Sequence, residues 1–274
     1  MIELPEAVTL AQQIRRTLAG RRIEEVEANH TPHGMTGFRR DPASYPALLR
    51  GRTVTGATAW GGLVQVEAGD VRVVLGDGAH PHLVRPGEPL PAKHQLHLGL
   101  DDGASLVVTV QMYGGIEAFL DAENDNPYYQ VAVARPSPLS AAFDAAHLAR
   151  LLDEPGARGR SAKAFLATGQ RVPGLGNGTL QDILWNARVQ PARRISTLSD
   201  MELDALLRSV RQTLTTMTEG GGRDTERDLF GAPGGYATVM GRATLERPCP
   251  RCGGHVVKKA YLGGAVYFCL GCQV

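Results

Sequence analysis

The chain has 274 residues and 29.3 kDa, enough for two domains with separate cores, and its 43% apolar content is ordinary for a globular protein. No run approaches the ~18 apolar residues of a membrane helix, and no charged-then-apolar leader opens the chain, so a cytoplasmic protein is expected. The net charge of +1 conceals an asymmetry: residues 1–154 hold 13 Lys and Arg against 19 Asp and Glu, and residues 155–274 hold 16 against 9. A polyanion would therefore be held mainly by the second half.

In chain order, Pro5 to Leu18 predicts a helix, with proline near its start and Leu10, Ile14 and Leu18 in register. Short alternating strands are expected at Ile23 to Ala28, Val54 to Ala59, Leu63 to Val66, Val71 to Leu75, Gln95 to Leu100 and Leu106 to Val110. Many short strands after one helix suggest a β-sandwich. Pro127, Pro136 and Pro138 mark a linker. The pattern then becomes helical: Asp144 to Leu152, Ser161 to Thr168, a helix after the turn GLGN (Gly174 to Asn177), and Asp200 to Thr218 capped by Ser199 with Glu202. The turn glycines permit close backbone approach, and the helix that starts at Gly176 and Asn177 offers free N–H groups suited to phosphate. Lys163 and Asn177 flank the turn and would complete a phosphate clamp.

All four cysteines lie near the C-terminus, as Cys249-x-x-Cys252, sixteen residues, Cys269-x-x-Cys272. That spacing predicts a four-thiolate Zn2+ site with a structural role, because so small a terminal unit needs metal to fold. Asp77, His80 and His82 in GDGAHPH, with His30 and His33 in NHTPHG, form a second group, readable as a remodelled pocket or as solvent-exposed loop histidines.

The opening MIELPEA, the GLGN turn, the segment GGGRDTERDLFGAPGGY (Gly220 to Tyr236) and the CPRC…CLGC ribbon follow one another in the order of the formamidopyrimidine-DNA glycosylase / endonuclease VIII family, which the chain resembles along nearly its whole length. The resemblance implies an α+β protein: an N-terminal β-sandwich with an N-terminal helix (1–126), a linker (127–143), a helix–two-turn–helix domain (144–240) and a zinc ribbon (241–274). It implies a protein that binds damaged double-stranded DNA between its domains and flips out a base; nothing in the sequence suggests more than a monomer. Lys163 and Asn177 have the family's own clamp spacing.

The resemblance also exposes departures. Family members attack the sugar with an amine at position 2, but here that position is Ile2. Met1 should stay ahead of so bulky a residue, leaving its amine on a flexible end. The sandwich-hairpin lysine falls on Gly62, the groups that fill the flipped base's gap on Asp77 and on Met112 to Gly114, and the ribbon arginine near Gly264. Glu3 and Glu6 keep the family's acidic pair. Glu3 can activate water or stabilise an oxocarbenium-like transition state, and Glu6 also suits the first turn of a helix. These residues point to a monofunctional, hydrolytic DNA glycosylase. The alternative is an inactive reader of damaged or abasic DNA, and a third reading is a glycosylase/lyase using the Met1 amine or a lysine such as Lys93.

Overall fold

The computed structural model describes residues 1–274. The first helix, α1 (Leu4–Leu18), carries Pro5 in its first turn, and its buried face is Leu10, Ala11, Ile14 and Leu18. Next come β1 (Ile23–Ala28), β2 (Thr36–Arg39), α2 (Tyr45–Leu49), β3 (Val54–Trp60), β4 (Leu63–Ala68), β5 (Val71–Val84), β6 (Leu96–Leu100) and β7 (Ser105–Leu120). The strands pair in the order β1-β6-β7-β5-β4-β3, with β2 added to β7 in parallel.

Strands β5 and β7 run well past Leu75 and Val110, where the sequence pattern ends them. Each continues through a kink where the register shifts between Asp77 and Ala79. A Cβ on Gly78 would lie 2.1 Å from the carbonyl oxygen of Gln111, so only glycine lets the strands cross there. Before the kink β5 pairs with β4. After it, the far half of the β5–β7 ladder continues into β6. The sheet folds at this point, and its two halves share one core of 28 buried residues that also takes in the inner face of α1.

The proline-marked stretch is not all irregular linker. Asn126 caps α3 (Pro127–Ala134) by accepting the Tyr128 N–H, and Pro127 sits in the first turn, where its missing N–H costs nothing. Then follow α4 (Ala145–Asp153), α5 (Ala162–Ala167), α6 (Asn177–Ala187) and α7 (Asp200–Glu219), with Asp144, Ser161 and Ser199 accepting backbone N–H bonds at the starts of α4, α5 and α7. These helices enclose a second core of 22 buried residues. A hairpin of β8 (Val256–Tyr261) and β9 (Gly264–Cys269) closes the chain. No helix is long and apolar enough to cross a membrane.

The two cores are pinned together. Leu4 of α1 belongs to the helical core while its later turns belong to the sheet core. Leu229, far along the chain, is buried in the sheet core, and its carbonyl accepts the Leu83 N–H at 2.9 Å. The β3–β4 turn meets the GLGN turn backbone to backbone: Gly174 has φ +75°, and a Cβ on it would lie 2.4 Å from the nitrogen of Gly62. The Gly174 carbonyl in turn accepts the Leu4 N–H at 2.9 Å.

This contact predicts that Gly174→Ala lowers unfolding stability by more than about 2 kcal/mol, from left-handed strain plus a backbone clash. Urea denaturation measures it. A change within about 0.5 kcal/mol would mean that the two turns separate freely.

Candidate active site

Three distant pieces of chain meet at Arg223. Its guanidinium donates to both carboxylate oxygens of Glu6 (Nε to Oε1 3.0 Å, Nη2 to Oε2 2.8 Å), and its backbone N–H donates to Glu6 Oε1 at 3.0 Å. A third nitrogen lies 3.5 Å from Glu3 Oε1. All three side chains are buried. Burial opposes the charge on Arg223, but Glu3 and Glu6 outweigh it and raise its pKa. Glu6 also accepts the Glu3 N–H at 3.1 Å, closing the first turn of α1.

Glu3 itself caps α6. Its carboxylate accepts the N–H of Gly176 (3.1 Å), Gly178 (2.8 Å) and Thr179 (2.8 Å). Burial would raise its carboxyl pKa, but Arg223 and the bonds from Thr179 and Gly178 hold it below the usual range. The helix N-terminus expected to receive phosphate is therefore taken by Glu3, and the Gly176 N–H is spent there. A carboxylate so engaged is a fixed negative charge and a poor proton acceptor.

Beside it, a cleft of about 470 Å³ runs between the two domains, with Glu3, Asp77, Met112, Tyr113, Lys163 and Asn177 among its walls. Ile2 is buried, and its backbone N–H donates to the Asp77 carbonyl at 2.7 Å. The Met1 amine is not loose as expected: it is paired with Glu226 at 2.6 Å. The Asp77 carboxylate has no hydrogen-bond partner in the chain, and burial raises its pKa against a smaller lowering by the Met1 amine. Met112 and Tyr113 are exposed at the kink of β7, with Met112 at φ 62°. A Cβ on Gly62 would stand 3.3 Å from the Ile2 carbonyl oxygen, so the β3–β4 turn packs closely against the chain start.

Lys163 and Asn177 do come together, at the tip of the β8–β9 hairpin. Lys163 Nζ donates to the Tyr261 carbonyl at 2.7 Å and Asn177 Nδ2 to the Ala265 carbonyl at 2.9 Å. A Cβ on Gly264 would stand 3.4 Å from Lys163 Nζ. Burial lowers the Lys163 pKa. An ammonium has three donors, so bonds to an incoming oxyanion remain available.

The hairpin is anchored by its cysteines. Cys249 and Cys272 sulfurs are 3.7 Å apart, Cys252 and Cys269 sulfurs 3.5 Å, and all four lie within 4.8 Å of one another. A tetrahedron with metal–sulfur bonds of about 2.3 Å has edges of about 3.8 Å, so the four thiolates fit one ion. Trp185 of α6 donates its indole N–H to Cys249 at 3.4 Å, and Gln181 accepts the Tyr267 N–H at 3.0 Å. The ribbon is thus docked on the same helix that Glu3 caps.

The histidines do not form one pocket. His80 Nε2 bonds to the Arg227 carbonyl at 2.7 Å, and His82 bonds to Thr109 at 2.9 Å, with burial pushing its pKa down to about 4. Neither lines the cleft that Asp77 faces. His30 turns instead toward Glu27 and His94. Sequence reasoning missed Arg223. Its only signal was position, inside the GGGRDTERD segment, since nothing local says that a lone arginine will be buried.

The architecture is that of solved Fpg proteins. It matches MutM (Fpg) from Thermus thermophilus with a TM-score of 0.82 and 25% identity over 99% of this chain and 98% of that one. The fold also matches that of Lactococcus lactis Fpg, solved in complex with abasic-site DNA, with a TM-score of 0.84, 23% identity and 99% of each chain. The formamidopyrimidine-DNA glycosylase N-terminal domain matches residues 1–153, more than half the chain, and the chain belongs to that family. Curated relatives named formamidopyrimidine-DNA glycosylase include one from Roseiflexus sp. (strain RS-1), 30% identical with both chains fully covered. Another, from Symbiobacterium thermophilum, is 31% identical over all of this chain and 89% of its own.

Because removing Arg223 strands two buried carboxylates, Arg223→Ala should cost about 3–5 kcal/mol in urea unfolding at pH 7. Arg223→Lys should recover only part of this, since an ammonium cannot make the two-pronged bond. A loss below about 1 kcal/mol, the size of an exposed ion pair, would contradict the buried network.

Proposed function

We propose that this protein is a monofunctional DNA glycosylase, holding damaged double-stranded DNA in the interdomain cleft and hydrolysing the bond between base and sugar without an amine nucleophile. The carrying observation is Asp77. It is a cleft-wall carboxylate with no partner in the chain, while the Met1 amine is engaged by Glu226 and the Ile2 nitrogen is an ordinary amide.

In this reading water bonds to C1′ as the bond from C1′ to the base nitrogen breaks; Asp77 accepts the proton that the water loses, and the base departs with the bonding pair and takes a proton from solvent. Glu3, fixed and negative beside the same wall, stabilises the oxocarbenium-like charge on the sugar. Glu6 acts on Glu3 through Arg223 and positions it. Lys163 and Asn177 would hold a backbone phosphate, supported by the donors they retain beside the ribbon tip. Met112 and Tyr113, exposed at the kink, suit wedges that fill the space left by the flipped base. Zn2+ is the ion that four thiolates in a near-tetrahedron favour, and it would set the hairpin that Lys163 and Asn177 lean on. A non-enzymatic reader of damaged DNA is favoured by the loss of a free amine, but that reading gives the unpaired Asp77 no task.

Asp77→Asn should reduce base release from oxidised-base duplexes by about 10²–10⁴-fold while DNA affinity changes little. Because the base must be ionised and burial raises the Asp77 pKa, wild-type activity should fall with decreasing pH at values above about 4, the range of an ordinary Asp. Single-turnover base release across pH measures both. Unchanged release by the variant would remove Asp77 from the mechanism.

A further inference from the structure

On the sheet edge, outside the cleft, Glu27, His30 and His94 bring their ligand atoms within 4.8 Å of one another. The geometry points to a second metal site there, and we propose that it binds one divalent ion of the borderline class, Zn2+ or Ni2+, through Glu27, His30 and His94 Nε2.

His94 carries the case. It is 3% exposed, yet its Nε2 has no hydrogen-bond partner, an expensive omission for a buried ring nitrogen. Its Nδ1 lies 2.8 Å from the Pro91 carbonyl. A ring that donates Nδ1–H to a carbonyl presents a lone pair at Nε2, the tautomer of a metal-binding imidazole. The nearest Glu27 carboxylate oxygen stands 3.8 Å from that nitrogen, too far to hydrogen-bond. Two ligands on one ion at bonds of about 2.1 Å stand about 3.4 Å apart, so a small approach brings both into range.

The backbone is already set for it. Glu27 lies on edge strand β1, Asn29 turns the chain at φ 61°, and His30 comes back beside Glu27, with Nδ1 2.8 Å from its carboxylate. The Thr31 N–H donates to the His94 carbonyl at 3.0 Å and the Asn29 N–H to the Gln95 carbonyl at 2.6 Å, tying the two ligand segments together. The His30 and His94 rings stack at 4.2 Å and 4°. Parallel rings cannot both aim a lone pair at one ion, so binding draws His30 out of the stack. It is the exposed partner and reorients readily. His97 stands nearby but is spent on Ser105 at 3.0 Å. Two imidazoles and a carboxylate leave a position for water and suit Zn2+ or Ni2+ better than Mg2+ or Ca2+. The ion would fasten the loop after β1 to the segment entering β6.

The test is calorimetric titration of Ni2+ into the full-length protein with its cysteine ribbon already loaded with Zn2+. Wild type should bind one equivalent. His30→Ala and Glu27→Gln, both at exposed positions, should each weaken it by at least about tenfold. His33→Ala, a half-buried histidine outside the cluster, should leave it unchanged. No binding by wild type, or binding that neither ligand variant weakens (an adventitious ion only), would overturn the site.

Discussion

Everything about the cleft depends on burying two carboxylates around one arginine. Glu3 and Glu6 come from the first turn of α1, and Arg223 comes from a loop more than two hundred residues later. None of the three charges tolerates burial alone, and desolvation on this scale is offset only by good geometry. The bidentate Glu6–Arg223 pair and three amides from the start of α6 supply that geometry. The chain start, the turn between α5 and α6, and the Gly220 to Tyr236 segment are thereby forced into one place.

That arrangement constrains the chemistry. Glu3 satisfies the N-terminus of α6, so it cannot also be a loosely held base, and its low pKa keeps it ionised. Its negative charge is nevertheless fixed on the wall of the cleft. The position-2 nitrogen is an amide locked to the Asp77 carbonyl by the same packing that buries Ile2. Gly61 and Gly62 meet Gly174 backbone to backbone, which closes the cleft wall at the β3–β4 turn. Asp77 is the cleft-wall carboxylate left without a partner.

Much of this was legible from the chain. Proline at the start of α1, the Ser199–Glu202 capping box and the cysteine spacing each rest on local chemistry, and each lies where local chemistry put it. The length of β5 and β7 was not legible, because GDG and MYGG look like breaks and only the crossing of two strands turns them into a kink. The proline-marked stretch contained a helix because Pro127 occupies the one turn that accepts proline. In the site, the family resemblance implied that Lys163 and Asn177 act together, but their bonds to the ribbon tip could not be foreseen. Nor could Arg223 or the regrouping of His30 with His94, since both come from packing between distant segments.

Borohydride reduction of the protein mixed with a duplex bearing a single abasic site separates water attack from amine attack on the sugar. A hydrolytic glycosylase gives no covalent protein–DNA adduct while binding the same duplex tightly. A trapped adduct, mapped to Met1 or to a lysine, would show that an amine attacks the sugar and would contradict hydrolysis by Asp77-activated water.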